Sequence, residues 1–127
     1  MATISNPTYL PPTASFDAMI AATQSLSGVV DLGQNRLWGI VMPGAWTAAS
    51  MTFQGSVDGV SFFDLYDDVA TPGTFVETTW TVAAAQMLVP AVPVRFIGIR
   101  WLKIRSGTSA APVAQAAGRV ITIIGVP

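Results

Sequence analysis

Few side chains in this sequence can do chemistry, and the carboxylates are the most concentrated of them. Asp58, Asp64, Asp67 and Asp68 fall within eleven residues, a density of oxygen ligands that suits a hard cation such as calcium. Their spacing does not follow an EF-hand loop. An Asp58-Gly59 turn accounts for the first, and a solvated loop accounts for Asp67-Asp68, so no metal is expected. Glu77 is the only Glu, and no second carboxylate lies near it in sequence with matching strand parity. It reads as an outward-facing strand residue rather than half of a glycosidase-type pair. His and Cys are absent, which removes the commonest general base, the usual metal ligands, thiolate nucleophiles and disulfide staples. Lys103 is the only Lys. Ser-His-Asp and Cys-His machinery cannot be built from such a chain alone, and the expectation is a protein that is not an enzyme and carries no cofactor.

The basic and aromatic residues favour binding over catalysis. Arg95, Arg100, Lys103 and Arg105 hold four of the six positive charges, interleaved with Phe96 and Trp101. Nucleic-acid and sugar platforms use such mixtures. Strand alternation, however, turns Leu102 and Ile104 toward a core and puts Trp101, Lys103 and Arg105 together on the outer face, where acidic groups of a partner subunit can meet them. A net charge of −1 supplies no field to attract nucleic acid or an anionic membrane, and neither is expected as a partner. Among the tryptophans, Trp38 sits in an apolar run and reads as core. Trp46 lies beside Pro43-Gly44 and reads as the exposed aromatic, available to an interface or to a sugar ring.

The elements that must position these residues are short strands. Ser50 to Val57 alternates, with Met51, Phe53, Gly55 and Val57 on one face, and Asp58-Gly59 then gives the strongest hairpin signal, a type I′ turn leading back through Val60 to Tyr66. Arg36 to Met42, Thr74 to Val82, Met87 to Val89, Arg95 to Arg105 and Arg119 to Ile124 read as further strands. A bend at Gly28 divides another between Leu26 and Leu32, and Ser15 to Ala22 is compatible with strand or a helical turn. That is eight or nine strands with turn signals every eight to twelve residues and no helix-length amphipathic segment. The pattern belongs to an all-β antiparallel sandwich of about eight strands. At 127 residues the chain fits one domain, residues 13–127, preceded by Met1 to Pro12. That segment holds Asn6-Pro7 and Pro11-Pro12, and reads either as a frayed terminus or as an extended arm whose Tyr9 and Leu10 reach a neighbouring subunit. Charged residues make up only 10% and hydrophobic ones 51%, with mean hydropathy +0.53, yet no apolar stretch approaches the ~20 residues of a membrane helix. The surplus points to a surface covered by partners.

Two stretches carry a family resemblance. Trp46 to Tyr66 (W-T-A-A-S-M-T-F-Q-G-S-V-D-G-V-S-F-F-D-L-Y) and Arg100 to Gln115 (R-W-L-K-I-R-S-G-T-S-A-A-P-V-A-Q) resemble a group of small structural proteins of tailed bacteriophages. More distantly, the same pieces are similar to discoidin-like jelly rolls. The resemblance implies a jelly-roll sandwich acting as a virion structural protein, a capsid decoration or cement protein on the capsid surface, made in the host bacterial cytoplasm. Its expected partners are further copies of itself, with a trimer matching local three-fold positions, and the major capsid protein or other virion proteins. The expected interface residues are Tyr9, Leu10, Trp46, Trp101, Lys103 and Arg105. The alternative is a carbohydrate-binding module of a phage tail or fibre that uses Trp46.

Overall fold

The computed structural model describes residues 13–92 and 96–127. The arm expected at Met1 to Pro12, with Tyr9 and Leu10, lies outside the described residues, as does Arg95. The rest is an antiparallel β-sandwich. One sheet, in the order β1-β10-β3-β8, contains β1 (Ala14–Ile20), β10 (Arg119–Val126), β3 (Arg36–Val41) and β8 (Met87–Leu88). The other, β2-β9-β4-β5, contains β2 (Val30–Asp31), β9 (Trp101–Ser106), β4 (Met51–Ser56) and β5 (Phe63–Asp64). A separate two-stranded ribbon joins β6 (Tyr66–Asp67) to β7 (Val76–Glu77). Most connections pass from one sheet to the other, and β4-β5 is the hairpin within a sheet, which makes the sandwich jelly-roll-like.

The core forms because the alternation of the long strands turns one apolar row inward from each sheet. Ala18, Ile20, Leu37, Ile40, Ile121 and Ile123 come from the first sheet, and Val30, Met51, Phe53, Leu102 and Ile104 from the second. Fully burying such a side chain contributes about 1.5–3 kcal/mol. Phe53, Trp80 and Phe96 close the centre edge to face, with ring centroids 4.9, 5.3 and 5.6 Å apart. Of Ser15 to Ala22, the part through Ile20 is strand, since β1 pairs with β10 along all seven residues, from Ala14↔Gly125 to Ile20↔Arg119, and the chain turns after it.

Four expectations need correction. Trp38 is not core; it is 45% exposed. The pairing of β10 with β3 shifts between Ile124↔Gly39 and Gly125↔Leu37, so Trp38 is the extra residue of a β-bulge. The bulge reverses the alternation, allowing Leu37 and Ile40 both to point inward while Trp38 turns out. The Asp58-Gly59 hairpin forms, with Gln54↔Asp64 and Gly55↔Phe63 paired, but not through a type I′ turn. Gly59 has φ +77° while Asp58 stays in the ordinary region. The Asp58 carboxylate instead accepts from the Val60 and Ser61 N–H groups and from Ser56 Oγ, widening the loop and leaving Val57 90% exposed. Finally, the strand expected over Arg95 to Arg105 begins only at Trp101, because the chain turns at Phe96 to Gly98, where Gly98 takes φ +90°. Similarly, Thr74 to Val82 keeps strand pairing only at β7 and at a bridge between Met51 and Trp80.

Candidate functional site: the outer faces of the sandwich

The outer face of β2-β9-β4-β5 carries the basic residues singled out in the sequence. Register places Arg105 beside Thr52, Lys103 beside Gln54 and Trp101 beside Ser56, so the three do share one side of the sheet, with Leu102 and Ile104 fully buried on the other. Arg105, however, is not presented to a partner. It is 8% exposed, because the chain from Asp64 to Thr78 folds over it. Its guanidinium donates to Asp64 and, at 3.3 Å, to Glu77, and Glu77 also accepts from the Ser109 N–H. The acidic partners expected on another subunit are thus supplied by the same chain. Glu77 is correspondingly not an outward-facing residue; its side chain is 13% exposed.

Electrostatics follow from this closure. Arg105, hydrogen-bonded to Asp64, holds that carboxyl below the usual carboxylate range against the opposing effect of burial. At the far end, Arg100 bonds Asp31 at 2.9 Å and lowers its pKa in turn, helped by the Gly33 N–H. Arg100 also lies 4.5 Å from the Trp101 ring centroid, and Lys103 lies 4.4 Å from that of Phe62. Trp101 packs tightly on Gly59, where an added Cβ would fall 3.1 Å from the indole. Trp101 and Lys103 are both half-buried.

The aspartates once grouped as possible cation ligands have separate tasks. Asp58 organises its loop, Asp64 binds Arg105 and Gln54, Asp67 accepts from Thr78 and the Val69 N–H, and Asp68 accepts from the Gly73 N–H. Among the described residues no group of three or more His, Cys, Asp or Glu side chains is arranged to hold a metal ion.

Trp46 is half-buried against the core, and its indole N–H donates to the Ala49 carbonyl at 3.2 Å. The exposed tryptophan is Trp38 instead. Near Trp46 lies a residue that sequence reasoning missed. Gln115 is fully buried, accepts from the Thr47 N–H at 2.8 Å, and donates to the Thr47 carbonyl and to Ser106 Oγ at 3.0 and 2.7 Å. Arg119 also donates to it at 3.1 Å. A lone Gln among small residues gives no sequence signal of such a role.

The outer face of β1-β10-β3-β8 has the opposite character. Met19 pairs with Val120, and the row Asp17–Thr122–Val41–Met87 crosses the whole sheet. Ile124 and the bulged Trp38 follow, with Val89 alongside Gly39. Met19, Trp38, Met87, Val89 and Val120 are between 38% and 64% exposed. A second group of exposed apolar residues, Val57, Val60, Phe63 and Ile97, lies on loops and at the sheet edge. No helix of the described chain is long and apolar enough to cross a membrane.

Compared by sequence, the chain matches no protein-family model and no curated protein. By structure it is similar to the crystal structure of the SPBc2 prophage-derived protein YomS, with a TM-score of 0.57 and 16% identity, covering 100% of both chains. The likeness spans the whole length, and what the two chains share is the β-sandwich fold.

Proposed function

We propose that this chain is a non-enzymatic structural protein of a bacteriophage virion, decorating the capsid and cementing its lattice. The observation that carries the reading is the outer face of β1-β10-β3-β8, where large apolar side chains stand exposed in register across four strands. Isolated exposed apolar residues are ordinary, whereas a contiguous apolar face marks a surface that another protein covers. The full-length structural likeness to a prophage-derived protein supports a phage-related role. The resemblance of Trp46 to Tyr66 and Arg100 to Gln115 to phage structural proteins supports the virion in particular. On a lattice, a rigid sandwich of this kind would act by adding buried area across capsomer junctions, at about 25 cal/mol per Å² of apolar surface before the costs of association.

The test is to purify particles of the encoding phage on density gradients, separate heads from tails, and quantify the chain in each by mass spectrometry. Many copies per head are expected. Recovery from tails alone would move the protein to another part of the virion, and its absence from particles would end the proposal.

A further inference from the structure

Two charged side chains stand apart among the described residues. Arg100 is paired with Asp31, Arg105 with Asp64 and Glu77, Arg119 with Gln115 and Thr47, and Lys103 with the Phe62 ring. Asp58, Asp67 and Asp68 accept hydrogen bonds within their own loops. Asp17 and Arg36 alone among the described charged residues engage no hydrogen bond, ion pair or aromatic ring. Both are exposed, and both lie on the outer face of β1-β10-β3-β8.

Their positions on that face are set by register. Asp17 sits opposite Thr122 and Arg36 opposite Val126, with β10 between their strands. Four residues along β10 and two strand spacings across it separate them by about 16 Å. The midpoint of that line falls at Ile124. A two-fold axis lying in the face and passing over Ile124 carries the Asp17 position of one copy onto the Arg36 position of the other. It does so twice, as an isologous contact requires. Between these charged ends the face presents Trp38, Val41, Thr122 and Ile124, which contain no charge, and Met87 lies beyond them on β8.

We propose that the outer face of β1-β10-β3-β8 is a homotypic interface, on which a second copy of this chain packs face to face about a two-fold axis that joins Asp17 of each copy to Arg36 of the other. The inference deepens the assembly reading above and rests on it only for the premise that the domain works docked. Three strands of six to eight residues and the two-residue β8, about 4.8 Å apart, give a face of roughly 370 Å² per copy, about 750 Å² for the pair. That is below the usual range for a specific interface, which sets the expected dimer as a weak one, in the high-micromolar range.

The test is sedimentation equilibrium of the purified full chain from about 1 μM to about 1 mM, a range that brackets micromolar association. The variants are Asp17→Arg, Arg36→Asp, the two combined, and Trp38→Ser. A monomer–dimer equilibrium is expected. Either charge reversal sets like charges against each other at both ends and should weaken dimerisation about tenfold or more, while the combined swap returns it to near the original value. Trp38→Ser should weaken it at least as much as either single reversal. Thermal unfolding of each variant checks the fold, which none of these exposed side chains maintains. A monomer throughout, a trimer, or a dimer indifferent to the single reversals would overturn the inference. The two readings fail separately: a monomeric chain that coats heads sinks the dimer alone, whereas a dimer never found on particles sinks the virion role alone.

Discussion

The outer face of β2-β9-β4-β5 uses its charges inside the chain, Arg105 on Asp64 and Glu77 and Arg100 on Asp31. The outer face of β1-β10-β3-β8 leaves Asp17 and Arg36 unengaged and exposes Met19, Trp38, Met87, Val89 and Val120. Both faces obey the same strand alternation, so alternation does not separate them. What separates them is the connection that follows. After β5 the chain follows the free edge of β4, with the Leu65 N–H donating to the Phe53 carbonyl and the Trp80 N–H to that of Met51, at 2.9 and 2.8 Å, and the β6-β7 ribbon brings Glu77 onto Arg105. No such cover lies among the described residues on the other sheet. One face thus has its charges closed within the chain, and the other leaves its apolar side chains exposed, the surface on which the proposal seats a second molecule.

The comparison can be broken most directly at Arg105. Arg105→Met leaves Asp64 and Glu77 facing each other with no cation between them, and should cost about 3–5 kcal/mol in urea unfolding. A loss below about 1 kcal/mol would mean that the closed face is not held by this cluster. Gln115→Ala should rank next, at about 2–3 kcal/mol, because it strands the Thr47 backbone groups and Ser106 in a buried site.

A pH series sharpens the same contrast. The Asp64 carboxyl is depressed in the folded protein, so its stabilising effect is full above the unfolded carboxylate pKa of about 4 and is lost as pH falls through the lower folded value. Stability of the unmodified chain should therefore decline on acidification below about pH 4, and the gap between it and Arg105→Met should narrow over that range. A gap that widens toward acid would contradict the assignment. On the open face, Trp38→Ser should change unfolding by no more than about 0.5 kcal/mol. Lys103→Ala, which loses one cation–π contact with Phe62, should cost about the same and leave docking untouched.

The fold was legible in the sequence wherever alternation was unbroken. Met51, Phe53 and Gly55 against Thr52, Gln54 and Ser56, and Leu102 and Ile104 against Trp101 and Lys103, fall on the faces that period two assigns. It misled at Trp38, because a bulge inserts one residue and reverses every assignment beyond it, and nothing in R-L-W-G-I-V marks the insertion beyond a glycine. It also misled at Arg105 and Glu77. Twenty-eight positions apart, they meet only through the folding-over of the β6-β7 ribbon, a tertiary event that local spacing does not encode. The open face escaped notice for a related reason: Met19, Trp38, Met87 and Val120 belong to four strands, and only the order β1-β10-β3-β8 makes them neighbours.

The central claim is that the outer face of β1-β10-β3-β8 is covered in the working assembly while that of β2-β9-β4-β5 is not required to be. Cryo-electron microscopy of purified phage particles tests it most directly. The account expects density for the sandwich on the head, with Trp38, Met87 and Val120 buried against another chain. Particles on which the sandwich sits with that face open to solvent in every copy, docked instead through Trp101 and Lys103, would contradict it.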